Sequence, residues 1–173
     1  MSGYSQRCIA KLESIGAPRD GWVCEEVITM PEPDFVCELC GYDRIRYVHV
    51  MVHPQWPDKF SVGCVCDGTM SNDLLAAKER DDEAKRRENR RKVFMKKQWE
   101  IQPDGQAVLA KTRGKIKAEK DSFRGREFYT VTVGGEPYQW WESRRIENLE
   151  TAKAVAFEVM EYERKTDRAE TGA

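Results

Sequence analysis

The chain predicts an α+β protein of two small modules joined by a long charged helix, and three observations carry that reading. Four cysteines form two close pairs, "CELC" at 37–40 and "CVC" at 64–66, either side of a segment with hairpin character. From about residue 71 to 99 there is no Gly or Pro, and Ala, Glu, Lys and Arg dominate, which is helix by composition. After "PDG" at 103–105, three segments of strand character precede an amphipathic helical pattern.

Taken in order, "SQRCIAKLESIG" predicts a short helix with Ser5 as its cap and Gly16 as its stop. "APRDG" is a turn, and "WVCEEVITM" is a strand ended by "PEPD". In "RIRYVHVMV", Val48, Val50 and Val52 share one face at period two, with Ile45, Tyr47, His49 and Met51 on the other. "QWPD" turns the chain and "KFSVGCV" returns as the partner strand. The long helix has a thin apolar stripe of Leu74, Leu75, Ala76, Ala77 and Ala84, then Val93, Phe94 and Met95. Between Lys78 and Lys92 nearly every residue is charged, which predicts a solvent-crossing stretch between two packed ends. "KIKAEKD", "EFYTVTV" and "PYQWWESR" are predicted strands, separated by "SFRGR" and "GGE". "NLETAKAVAFEVMEYE" closes the chain as a helix capped by Asn148, with Ala152, Val155, Ala156 and Val159 at i, i+3, i+4, i+7.

The 173 residues are 34% charged and 40% apolar, polar overall yet able to bury a core. No apolar run approaches the roughly 18 residues that span a membrane, and the start lacks the apolar stretch of a secretory signal. The expectation is a cytoplasmic chain with no membrane partner, in a reducing compartment where paired cysteines bind metal more often than they form disulfides. The net charge of −1 is unevenly spread: 8 basic and 15 acidic groups over residues 1–84, 15 and 5 over 85–126, 6 and 10 over 127–173. A basic middle between acidic flanks points to a local polyanion-binding face, not a coat for nucleic acid.

Cys37-x-x-Cys40 followed by Gly41 has the form of a zinc knuckle, in which a tight turn aims two thiolates at one point. Cys64-x-Cys66, with Gly63 and Gly68 beside it, closes a tetrahedral site when the hairpin folds back. The expected metal ligands are Cys37, Cys40, Cys64 and Cys66, and the expected cofactor is zinc, with an iron–sulfur cluster as the other group that four thiolates hold. Four thiolates leave no position for water, so the site is structural. Cys8 and Cys24 lie in apolar contexts and read as buried small residues separate from it. The predicted divisions are an N-terminal helix and strand over 1–36, a zinc-binding module over 37–72, a basic linker helix over 73–100 and a βββα module over 101–173.

Knuckle, hairpin, second cysteine pair and helix resemble a treble-clef zinc finger over residues 37 to about 80. The chain also resembles zinc-containing proteins of bacteriophages and other mobile elements, in which "CxxC", "IRYVHVM-HP" and "VGCVC-G-M" occur together before a charged helix and a three-strand-plus-helix tail. That resemblance covers most of residues 35–165 and implies no established activity. The C-x-C pair departs from the ordinary treble clef. "VHVMVHP", carrying the only two histidines, His49 and His53, is a weak echo of the His-metal-finger nucleases, treble-clef relatives. Such a site needs a further metal-binding His or Asn on the next helix, where "SNDLLAAKERDDEAK" offers only Asn72 and acidic residues. No other catalytic signature is present.

"KRRENRRKVFMKK" at 85–97 sets a run of Lys and Arg against one Glu, with Arg86 and Arg90, and Arg87 and Arg91, stacked one turn apart. The upstream "KERDDEAK" reads as a solvated face. Arg86, Arg87, Arg90, Arg91, Lys96 and Lys97 are the expected phosphate contacts, and Lys115 and Lys117 are expected to bind nucleic acid with them. Lys111, Arg113, Lys115, Lys117, Arg124 and Arg126 continue the basic character. Trp140 and Trp141, adjacent on a strand, point to opposite faces, which places one in the core and leaves the other for a base or a partner. The leading expectation is a non-enzymatic, zinc-stabilised nucleic-acid-binding protein. The alternative is a mobile-element inhibitor or adaptor of anti-defence type that binds a host protein or nucleoprotein complex; a nuclease is the outlier. The sequence does not set the oligomeric state.

Overall fold

The computed structural model describes residues 2–109 and 115–171, with side chains as far as 166. Among them are four helices and ten strands in three sheets, a mixed α and β architecture. The chain divides into two compact units, Met1–Asn89 and Arg90–Ala173.

The first unit opens with α1 (Gly3–Ile15), which is capped one turn earlier than the sequence predicts: Ser2 Oγ accepts the N–H of Ser5 at 3.2 Å. Gly16 ends the helix as expected, in the left-handed region at φ 72°, where a residue without Cβ is unstrained. Cys8 and Leu12, four apart on one face, are its buried residues. Strands β1 (Val23–Thr29), β2 (Tyr47–His53) and β3 (Trp56–Val62) form an antiparallel sheet with β2 in the middle. Residues 48–51 of β2 are all buried, so both of its faces are covered and the expected in–out alternation is lost.

The return strand stops at Val62, and Gly63 caps α2 (Cys64–Met70). The second cysteine pair therefore lies on a helix rather than at a strand end. α2 packs on α1 and on β2. A Cβ on Gly68 would stand 2.7 Å from Leu74 Cα, so only glycine lets the chain pass this close as α3 (Leu74–Met95) begins. Asp73 accepts the N–H of Ala76 at 2.9 Å, as an N-cap does. Within the first unit α3 does not simply cross solvent. Glu88 accepts from the Arg46 guanidinium at 2.5 Å and from the Tyr47 hydroxyl at 2.7 Å.

The second unit begins with the last residues of α3, where Phe94 packs on Phe157 with ring centroids 5.6 Å apart. Its sheet has five antiparallel strands in sequence order, not the predicted three: β4 (Trp99–Ile101), β5 (Ala107–Leu109), β6 (Ile116–Phe123), β7 (Arg126–Val133) and β8 (Glu136–Tyr138). The segment read as one strand, "PYQWWESR", breaks into β8 and a separate hairpin, β9 (Trp140–Trp141) and β10 (Arg144–Arg145). α4 (Leu149–Thr171) is capped by Asn148, whose Oδ1 accepts the N–H of Thr151 at 2.8 Å, and it lies on β6 and β7. Its Ala152, Val155, Ala156 and Val159 are buried with Leu109, Ile116, Val131 and Ile146, which bears out the helical periodicity.

Candidate metal centre and a buried ion network

The knuckle is built by backbone bonds. Phe35 and Ile45 bridge its base, the Cys37 N–H donates to Tyr42 O at 2.8 Å, and the Gly41 N–H donates to Cys37 O at 3.0 Å. Gly41 leaves the turn at φ 72°. This aims Cys37 and Cys40 inward, and the first turn of α2 brings in Cys66. The sulfurs of these three residues all lie within 4.8 Å of one another, and Cys37 and Cys66 are 3.6 Å apart. A cation held at about 2.3 Å by tetrahedral thiolates sets its sulfurs about 3.8 Å apart, so the spacing fits a metal.

The thiols are electrostatically unequal. Its hydrogen bond with Cys66, against the effect of burial, holds Cys37 down at about 5. That same bond, contact with Cys8 and burial push Cys66 up, and burial raises Cys40. All three bind a metal as thiolates, so the protons they carry leave on binding.

Cys64 stands apart from the three-sulfur set. Two residues apart on a helix are rotated by about 200°, so Cys64 and Cys66 face opposite ways on α2. Cys64 lines a cavity with Cys40, Cys66 and Asp81. Burial raises its thiol, with the charges of Asp81, His49 and Asp67 also acting on it.

These neighbours form a buried ion network that the sequence did not announce. His49 and Asp67 are fully buried, and His49 Nδ1 donates to Asp67 Oδ2 at 2.6 Å. His49 Nε2 stands 3.5 Å from Asp81 Oδ1, and the Cys24 sulfur 4.0 Å from Nδ1. The Arg80 guanidinium grips both Asp67 oxygens at 2.7 and 2.8 Å. Arg80 and Asp81, read from sequence as part of a solvated face, are half-buried partners of this cluster. Cys24, His49 and Asp67 lie close enough to hold a metal. The Asp67 carboxylate is already committed to two cationic groups, however, so the set balances its own charge. His53 packs its ring on Trp22 at 5.2 Å and accepts the Gln55 N–H at 3.1 Å.

The expected phosphate contacts are scattered among carboxylates. Arg86 donates to Glu83 at 2.9 Å, Arg90 makes two bonds to Glu161 at 2.9 and 2.7 Å, and Arg91 stands 3.8 Å from Glu158. Arg87 is half-buried, and Lys96 is exposed. The Lys97 ammonium lies 5.4 Å from the Phe94 ring centre. Lys115 is exposed and Lys117 pairs with Glu119 at 3.1 Å. Lys111 and Arg113 lie outside the described residues.

A different basic surface emerges in the second unit. The β6–β7 turn and the β9–β10 hairpin enclose an open groove of about 1000 Å³ bearing Phe123, Arg124, Arg126, Trp140, Arg144 and Arg145. Phe123 and Trp140 are 57% and 55% exposed, whereas Trp141 packs against the core. Arg145 lies 5.0 Å from the Trp140 ring centre, and Arg124 lies 5.2 Å from that of Phe123. The sequence reading named Trp140, Arg124 and Arg126 but missed Arg144 and Arg145, whose only signal was adjacency to the tryptophans. No family model, curated protein or solved structure matches the chain. Among the described residues, no helix is long and apolar enough to cross a membrane.

Proposed function

We propose that this chain is a cytoplasmic, non-enzymatic, zinc-stabilised nucleic-acid-binding protein, and that the groove of the second unit is its contact surface. The observation that carries this reading is two exposed aromatic rings set among four arginines. Bases stack on aromatic faces whatever their sequence, and guanidinium groups take the phosphates between them. Glu127 and Glu147 also line the groove, but Glu127 is paired with Lys120 at 2.7 Å, which reduces its repulsion of phosphate. Zinc is the metal that best suits buried thiolates closed by a knuckle and a helix, an arrangement in keeping with a treble clef and with the mobile-element proteins the sequence resembles. Its part is to fold the first unit.

Fluorescence anisotropy with a labelled single-stranded oligonucleotide at low salt tests the proposal. Trp140→Ala should weaken binding by about 1–3 kcal/mol, and Arg144→Ala with Arg145→Ala should flatten the salt dependence. Binding that survives all three changes with its salt slope intact overturns the groove as the contact. A second reading, an adaptor or inhibitor that binds a host protein or nucleoprotein complex, is favoured by the carboxylate pairing of Arg86, Arg90 and Arg91. In that case the free oligonucleotide should not bind at all.

A further inference from the structure

Three thiolates leave a tetrahedral soft cation one donor short. The cysteine cluster is walled by Leu12, Leu39, Ile45, Val62 and Met70, a setting poorly suited to a metal-bound water. Two further cysteines belong to that cluster, Cys8 within it and Cys24 packed against it. Cys8 is fully buried in the same cluster as Cys37, Cys40 and Cys66, and it lies on α1, which packs against α2. Cys24 stands 4.0 Å from His49 Nδ1, and Cys64, two residues before Cys66 on α2, is rotated from it by about 200°.

We infer that the metal is held by Cys8, Cys37, Cys40 and Cys66, with Cys64 outside the ligand set, so that the ion pins the N-terminal helix to the knuckle and to α2. This rests on the zinc reading above. Cys8 lies outside the set of sulfurs within 4.8 Å, and a side-chain rotation with a small shift of α1 brings it in. The ligand order becomes one thiol from a helix, two from a knuckle and one from a second helix. It needs no C-x-C chelate, which helical geometry forbids. Because α1 buries only Cys8, Leu12 and little else, the metal supplies much of what docks it.

Cobalt(II) titration of the full chain and of Cys8→Ser and Cys64→Ser reads the ligand set, since thiolate-to-cobalt charge-transfer intensity follows the number of bound sulfurs. Cys64→Ser should match the parent. Cys8→Ser should lose about one quarter of that intensity and bind at least about tenfold more weakly. A variant-free measurement covers the case in which Cys8→Ser does not fold. Thiol alkylation of the zinc-loaded parent, mapped by mass spectrometry, should modify Cys64 while Cys8 stays protected with Cys37, Cys40 and Cys66, and a chelator should make all five reactive together. Loss of intensity in Cys64→Ser with none in Cys8→Ser, or metal-dependent protection at Cys64 alone, overturns the assignment while leaving the metal site standing. A parent that binds neither cobalt nor zinc overturns both.

Discussion

At the scale of single residues, His49 governs the first unit's interior. Burial pulls an imidazole towards its neutral form, but the hydrogen bond to Asp67, with the Asp81 carboxylate and the Cys24 thiol close by, outweighs it and pushes His49 up to about 11. Burial would raise Asp67 and Asp81, yet the imidazolium with Arg80 and Lys85 holds both below the usual carboxylate range. The signs follow. The histidine's contribution to stability is fully present below about 6.5, its unfolded value, and drains as pH rises towards 11. The carboxylate contribution is present above about 3.9 and is lost as pH falls through the depressed folded values. His49 should therefore stay doubly protonated from pH 6 to 9, seen as ring NMR shifts that do not move over that range. His49→Ala should destabilise the unit by about 3 kcal/mol in urea unfolding, because it leaves Asp67 and Asp81 buried without their central cation. His49 was legible as a strand residue. Its partners were not, since Asp67, Arg80 and Asp81 are brought to it from α2 and α3.

At the scale of elements, two errors of sequence reading share one cause: the chain turned or changed type where no signal residue marked it. "GCVC" carries a β-branched residue and follows a good strand, yet the Cys66 and Asp67 N–H groups donate to Gly63 O at 3.0 Å and start a helix. The β9–β10 hairpin turns on Glu142 and Ser143, at φ 47° and 65°, a left-handed pair normally written Asn-Gly. By contrast Arg124–Gly125, at φ 53° and 76°, carries a glycine and was read correctly as a turn. Glu142→Asn with Ser143→Gly should raise the stability of the second unit by about 1 kcal/mol, measured by thermal or urea unfolding, because it relieves two strained residues. A loss of stability would mean that the Glu142 and Ser143 side chains matter more than the backbone strain. The final helix, with its cap and unbroken 3.6 periodicity, was fully legible, because each local preference agreed with the packing it met.

At the scale of the whole molecule, each unit has a separate core, and all six cysteines lie in the first. Metal removal should therefore act on one unit only. Hydrogen exchange of the zinc-loaded chain should show protection in both units, and a strong chelator should abolish it across α1, β2 and α2 while sparing β6, β7 and α4. About one zinc per chain by elemental analysis is the matching stoichiometry. Because Cys40 and Cys66 must lose protons on binding, chelator competition should release the metal more easily at pH 6 than at pH 8.

The amino-acid sequence alone determined the mixed α and β class, the knuckle at Cys37 and Cys40, the charged helix and the amphipathic α4, because each rests on neighbours in the chain. Turn chemistry, composition and helical periodicity are local properties. Only the tertiary structure decided that Cys66 joins the knuckle while Cys64 falls outside the three-sulfur set, that Arg90 spends its charge on Glu161, and that Arg144 and Arg145 flank Trp140 beside Phe123. Those pairings join residues from separate elements, and burial and charge neutralisation select them only once the elements have packed.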